Sequence, residues 1–477
     1  MSKSGTSHPD DELILHAELP MLKAFEAGRP TVTERMQLGH DLRKVTPRSA
    51  HAIFEPSTHG RNPADIIREQ NASRIQSLVP VRMERMTASP FAFLRGSAAV
   101  MTADLATTPA TGPEVMACGD MHLANFGLFG SVERNLIFAI NDFDEVHGGP
   151  WEWDVKRLAA SAAVASLFGG GDKVSAKAAA WAATEAYVRR MRNYAEMGYL
   201  DVWYDLIDER TILSSAPPHL RAVATQIMDK ARARGHMSAL EKMTEEINGR
   251  IQIAESLPLI VRETHLSDGT PVATALDAML QSYVRSLPED RRRLLSRYRI
   301  VDTARKVVGV GSVGLSCWVI LLEGLDSGDP LFLQIKEARK SVLAHYVRTD
   351  NAIRNQGKRV VVGQRLIQGS PDIFLGWGQY ETSGGYYYVR QLKDMKGGIR
   401  INESDKDFLD ALPDYCRLCG WALALAHAKS GDPALIAGYC GKSDAFPDAI
   451  ADFALAYAAQ TEKDHDALVQ AVKAGNV

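Results

Sequence analysis

The sequence predicts an α+β fold. Three observations lead there: a helical opening stretch, an early pair of short apolar runs around an acidic loop, and a cluster of strands that appears only after residue 298. Of 477 residues, 45% are hydrophobic and 24% charged, the balance of a globular chain with room for two or three domains.

Pro63 to Met86 keeps Ile66, Ile67, Ile75, Leu78 and Val81 at helical spacing, with Pro80 placed to kink it, and Phe91 to Leu105 suits a further helix. Residues 1–110 are therefore expected as a helical extension. Glu114 to Cys118 and Asn135 to Ile140 are short runs with branched residues, expected as strands that bracket a Gly- and Asn-containing loop. An alanine-rich helical stretch follows from Trp153 to about Arg192, broken at Gly169-Gly170-Gly171, and helical character continues with interruptions to Arg297. These parts form an expected large lobe over 111–297. The pattern then turns to strands at Tyr298 to Val310, Leu315 to Glu323, Pro330 to Ile335, Ile373 to Gly376 and Tyr386 to Leu392, with a helix from Gly357 to Gln368 among them. That makes 298–396 a small β-rich lobe. Residues 397–477 return to helix in Asp405 to Ala428 and Asp444 to Ala474. No repeat of fixed period and no low-complexity tract interrupts the order.

Fifty-five basic residues against 58 acidic ones leave a formal charge of -3, so no whole-molecule field draws the chain to nucleic acid or to an anionic membrane. No apolar run reaches the length of a membrane span, and Met1 to Asp11 lacks an apolar signal core. Five cysteines are an odd count in so long a chain, which suits reduced thiols; Cys416 and Cys419 are expected as buried thiols, since no second pair lies near to complete a zinc site. A cytoplasmic chain without nucleic-acid or membrane partners is expected. Its oligomeric state is not specified.

Chemistry concentrates in two acidic segments. Cys118-Gly119-Asp120-Met121-His122-Leu123-Ala124-Asn125-Phe126-Gly127 leaves the first expected strand, and Asn141-Asp142-Phe143-Asp144-Glu145 leaves the second. Phosphoryl transfer needs a carboxylate to orient the acceptor and take its proton, and oxygen donors for the magnesium ions that bridge the phosphates. Asp120 suits the first task; Asn125 and Asp142 suit the second, and His122 and Asp144 are secondary candidates. Two protein ligands suffice because magnesium keeps several waters. Each of these residues taken singly is also an ordinary turn former; the arrangement over two strands is what points to chemistry. Downstream, Gly309-Val310-Gly311-Ser312-Val313-Gly314 gives G-x-G-x-x-G between two expected strands, and Lys336 ends the following strand. Strand after the glycines suits a hairpin over phosphates better than the dinucleotide turn, which runs into a helix. Lys336 would neutralise nucleotide charge, or else sit at a strand end with its head in water.

GDMHLAN followed by INDFD resembles the catalytic loop and metal-binding segment of the aminoglycoside-phosphotransferase and choline-kinase branch of kinase-like enzymes, and Gly149 to Ala159 is similar to that branch's G-P-x-x-D-L-A element. The resemblance implies a two-lobed protein-kinase-like fold, ATP and Mg2+ as cofactors, and a small-molecule acceptor. It casts Asp120, Asn125 and Lys336 as catalytic, and Gly309, Gly311, Ser312, Gly314, Lys336 and Gln391 as nucleotide contacts. Asn125, Asp142 and Asp144 become metal ligands, with His122, Asp154, Arg157 and Gln364 in support; Asp154 would brace the catalytic loop through backbone hydrogen bonds. Kinases ordinarily place the small lobe first, so the order here implies a circular permutation, with Asp414 to Ala428 similar to the helix that usually runs into the catalytic loop.

Two departures accompany the resemblance. No glutamate lies between Ala338 and Tyr380 to pair with Lys336, which leaves Gln364, Asp350 or an acid from elsewhere, because Glu337 points to the other face of its strand. Cys118 stands where those enzymes usually carry histidine. The alternatives are a regulatory, nucleotide-binding pseudokinase and, less favoured, a metal-dependent phosphoesterase suggested by GDMH, whose two-metal clamp needs further ligands. Arg82, Arg85 and Arg95 are expected on a solvated helix face, with a substrate phosphate as their other use. SPFAFLRG, CGDMHLANFG, NDFDE, GPWEWDVKRLAAS and QLKDMKG also resemble the bacterial family known as domain of unknown function 2252, which implies no substrate.

Overall fold

A computed structural model gives the fold and describes residues 28–56, 61–266, 269–326, 328–348, 353–380, 385–392, 395–398 and 401–477. The expectations for Met1 to Asp11 and for Asp350 lie outside the described residues. Helices and strands segregate along the chain, which makes the fold α+β.

The helices Trp151–Phe168, Lys173–Glu196, Lys406–Ser430 and Ala445–Lys473 pack on one another through small side chains. Ala159, Ala163, Ala179, Ala183, Ala422 and Ala426 are all buried, so the axes approach closely and dispersion contacts accumulate along them. Gly420 marks a point of close approach: a Cβ there would run into the Ala183 carbonyl. All five cysteines are free and buried.

The opening stretch differs from expectation in its breaks. Pro63–Ala72 and Val79–Thr87 are separate helices, and Pro80 falls in the first turn of the second, where its missing N–H costs no hydrogen bond. Between them the chain turns aside so that the Ile75 amide bonds the Gly314 carbonyl at 2.9 Å. Pro90–Gly96 and Ala98–Leu105 likewise replace one expected helix.

Two small antiparallel pairs carry the early part of the chain: β1 (Glu114–Ala117) with β4 (His147–Pro150), and β2 (Phe126–Gly130) with β3 (Leu136–Ile140). β2 occupies part of what was expected as loop. A further hairpin, β5 (Thr244–Ile247) with β6 (Arg250–Ile253), and the short β7 (Ile260–Val261) stand where helix was expected. The main sheet has six antiparallel strands in the order β11-β12-β10-β9-β8-β7, with β8 at Arg299–Lys306, β9 at Cys317–Glu323, β10 at Pro330–Ala338, β11 at Gly376–Tyr380 and β12 at Gly385–Gln391. It therefore takes in a strand upstream of residue 298. Along β9, Trp318, Ile320 and Leu322 pack with Met279 and Tyr283 of the Val272–Ser286 helix, while Val319 and Leu321 pack on the other face with Ile253 and Phe332, the period of two that a sheet covered on both faces requires.

Candidate active site

The paired hairpins bring the exits of β1 and β3 to one cleft of about 270 Å³. Gly119, at φ +74°, turns the chain out of β1. Asp154, in the first turn of the Trp151–Phe168 helix, accepts the amides of Cys118 at 2.6 Å and Gly119 at 3.0 Å. Its Oδ2 also lies 3.2 Å from His427 Nε2, and His427 Nδ1 lies 2.9 Å from the Tyr187 hydroxyl. A buried carboxylate with this many partners fixes where the loop begins.

Asp120 Oδ1 accepts from Arg157 Nε at 2.9 Å and from Nη2 of the same guanidinium. Burial lifts the Asp120 carboxyl above the ordinary aspartate range; Arg157 pulls it back, and Asp142 adds to the lift. His122 Nε2 stands 3.8 Å from Asp120 Oδ2. Burial, with Arg95 and Arg157 nearby, holds His122 well below the usual imidazole range, so its ring is neutral. Asn125 Nδ2 donates to the Asp120 main-chain carbonyl at 2.6 Å, which leaves the side-chain oxygen to accept or to ligate. Asp142 Oδ1 accepts the Asp144 amide at 3.2 Å.

The glycine turn joins antiparallel β8 and β9 and lies across the cleft from these residues. Gly309 and Gly314 take φ of +68° and +86°, conformations that side chains resist. Ser312 Oγ donates to Asp144 Oδ2 at 3.2 Å, Lys336 Nζ donates to the same oxygen at 2.6 Å, and the Tyr388 hydroxyl donates to Oδ1 at 2.6 Å. Burial opposes the charge on Lys336, but Asp142 and Asp144 outweigh it and hold the ammonium well above the usual lysine range. Burial likewise works against the Asp144 carboxylate, and Lys336 with Tyr388 and Arg390 keeps it below the usual range. The Lys336 head is 3% exposed, inside the protein rather than in water.

Asp120, His122, Asn125, Asp142, Asp144, Gly309, Gly311 and Ser312 thus line one cleft, and Lys336 reaches it through Asp144. Three expected residues lie elsewhere. Gly314 is outside the cleft lining, packed on the Arg74 side chain with its carbonyl taken by the Ile75 amide. Gln364 and Gln391 line a separate cavity with Arg390 and Asp372; the Gln391 amide donates to Asp372, and Gln364 Nε2 donates to Gln368 at 2.7 Å. The acid paired with Lys336 is Asp144, from the acidic segment itself. Glu337 is turned away, accepting the Ser316 amide at 2.9 Å and Arg339 at 2.7 Å.

The expected solvated arginine face is overturned. Arg82 is fully buried, donating to Gln70 at 3.0 Å and to the Gly96 carbonyl at 3.2 Å. Arg85 donates to the Gly309 carbonyl, and Arg95 is part of the cleft wall. The helical extension packs against the glycine turn, and that packing buries Arg82 and draws Arg95 into the cleft wall while Arg85 stays half-buried.

A family model described as an uncharacterized protein conserved in bacteria, DUF2252, matches residues 74–471. The chain belongs to this family. No curated protein and no solved structure matches it. The span shared with DUF2252 holds both acidic segments, the glycine turn, Lys336 and the three arginines, so all of the cleft but Gln70 and Ser73 lies within the family's common part.

Tyr388 and Arg390 escaped the sequence reading as partners of this centre. They face Lys336 and Gln334 across the β10–β12 pairing, and Arg390 Nε donates to Gln334 at 3.1 Å. Their alternation along Tyr388-Val389-Arg390 is a signal only once that register is known. As for metal, no three His, Cys, Asp or Glu among the described residues converge into a metal-holding group. Asn125 and Asp142 offer two hard oxygens, which fits magnesium completed by phosphate and water. Asp144 already has both oxygens occupied by Ser312, Lys336 and Tyr388, which makes it the weaker metal candidate.

Proposed function

We propose that this DUF2252 protein is an ATP- and magnesium-dependent phosphotransferase acting on a small-molecule acceptor, built as a circularly permuted kinase-like fold. One observation carries the reading: Asp144 and Lys336, 192 residues apart, meet at 2.6 Å in a cleft that also holds Asp120, Asn125, Asp142 and the glycine turn. In the proposed roles, the glycine turn and Lys336 hold the nucleotide phosphates, and Asp120 orients the acceptor hydroxyl and receives its proton. Asn125 and Asp142 hold magnesium, which neutralises phosphate charge when bound. The raised carboxyl of Asp120 is in keeping with a proton acceptor, and Arg157 fixes its orientation. The Gln356–Ile367 helix, which joins β10 to β11, and the placement of β12 beside β10 support the small-lobe assignment.

A thermal-shift titration tests the reading. ATP with magnesium should raise the melting temperature, and Asp142→Ala should abolish the magnesium dependence. A panel of metabolites read for ADP release should then give a product with the wild type and none with Asp120→Asn. Nucleotide binding without any turnover would favour the second reading, a nucleotide-binding regulatory protein, for which the tie between Arg157 and Asp120 is the supporting contact. Absence of nucleotide binding would sink both.

A further inference from the structure

We propose that the acceptor taken by this cleft carries an oxyanion group, phosphate or carboxylate, that the arginines of the helical extension bind. The inference rests on the phosphotransferase reading and names the chemistry of its acceptor.

The helices Pro63–Ala72, Val79–Thr87 and Pro90–Gly96, with the turn after the first, supply a third wall to the cleft: Gln70, Ser73, Arg74, Arg82 and Arg95. Most acids of the cleft already have a cation. Asp120 is paired with Arg157, Asp144 with Lys336 and Glu337 with Arg339. The extension's arginines are matched differently. Arg74 and Arg82 give their hydrogen bonds to the uncharged oxygens of Val313, Asn71, Gln70 and Gly96. The Nε groups of Arg74, Arg82 and Arg95 are buried and have no acceptor among the described residues. It is the cleft lining that matters: Arg74, Arg82 and Arg95 place three guanidinium groups on one wall, and a planar guanidinium is the side chain best shaped to grip an oxyanion. Burial, with a smaller push from Arg339, takes Arg74 down to about 10 against the pull of Glu145 and Glu337.

Position decides what the anion belongs to. Arg95 lies within the field of Asp120 and of His122, beside the carboxylate that orients the acceptor. Lys336 and Asp144 lie toward the sheet, on the nucleotide's side. Arg74 and Arg85 bond the glycine turn itself, so it is an anion on Arg95, beside Asp120, that travels with the acceptor, and a polyamine acceptor would meet like charge at this wall.

The test uses the full chain and inorganic phosphate as the probe. Protein saturated with a non-hydrolysable ATP analogue and magnesium, so that the site of the terminal phosphate is filled, is titrated with phosphate by calorimetry. Phosphate should bind, and Arg95→Met should weaken it by about tenfold or more, the loss expected for one charged hydrogen-bond donor, with analogue affinity unchanged. Arg95→Lys, which keeps the charge and loses the planar fork, should weaken it in the same direction and carries the test if Arg95→Met does not fold. Analogue binding without phosphate binding overturns this proposal alone, as does an Arg95→Met variant that loses analogue affinity instead. Failure of the analogue to bind the wild type overturns the phosphotransferase reading, and this proposal with it.

Discussion

Lys336 and Asp144 form a buried ion pair, and such pairs show their worth when broken rather than when counted. Lys336→Met leaves Asp144 bonded to Ser312 and Tyr388, with only the more distant Arg390 as a cation, and should cost roughly 3 kcal/mol by urea denaturation. Adding Asp144→Asn should recover part of that loss, with a coupling on the order of 1–3 kcal/mol; purely additive losses would show that the contact contributes nothing. Lys156 makes a second prediction at this scale. It is fully buried on the Trp151–Phe168 helix, donating to Thr108 Oγ1 at 2.8 Å over the Phe453 ring, and burial, only partly offset by Glu152, pushes it down from 10.5 to about 7. Between those values the unfolded chain binds the proton more tightly than the folded one, so wild-type stability rises with pH from about 7 to 10.5. Lys156→Met should therefore gain most over wild type below pH 7, and the gain should shrink by roughly 5 kcal/mol toward high pH. A constant difference between the two proteins would mean that Lys156 titrates normally.

Elements were legible in the sequence to the extent that their own residues decided them. The alanine-rich helices announce themselves because burial of nearly the whole first helix and of one broad face of the second favours small residues, and the glycine triplet at 169–171 marks their turn. β2 did not, because Phe126-Gly127-Leu128-Phe129-Gly130 carries glycine at two of five positions and owes its strand to β3. β5, with Glu245 and Glu246 exposed, has no buried face to impose alternation and passed for helix. One close contact between elements is a matter of one absent methyl group. Gly420→Ala would press against the Ala183 carbonyl, and because backbone cannot rotate away, the Lys173–Glu196 and Lys406–Ser430 helices must separate. A loss of roughly 1–3 kcal/mol is expected, seen as a lower denaturation midpoint at unchanged slope; a neutral variant would show that the helices slide apart freely.

At the scale of the molecule, the residues of the acidic and glycine segments were readable but their third wall was not. Arg82 and Arg95 belong to helices, and Arg74 to the turn before them, whose exposure depends on what packs over them, and the glycine turn against which this extension packs lies more than 200 residues further along the chain. Distance in sequence is also what makes the arrangement testable. If a nucleotide with magnesium is gripped by both sides, hydrogen exchange at amides of 118–127 and of 309–316 should slow together. At a nucleotide concentration near 100 times the dissociation constant, openings that release it become about 100-fold rarer, and that factor should appear in both segments alike. Asp142→Ala should remove the magnesium-dependent part from both. Protection confined to one segment would mean that the ligand rests on a single wall, and the two halves of the chain would then meet for structural reasons alone.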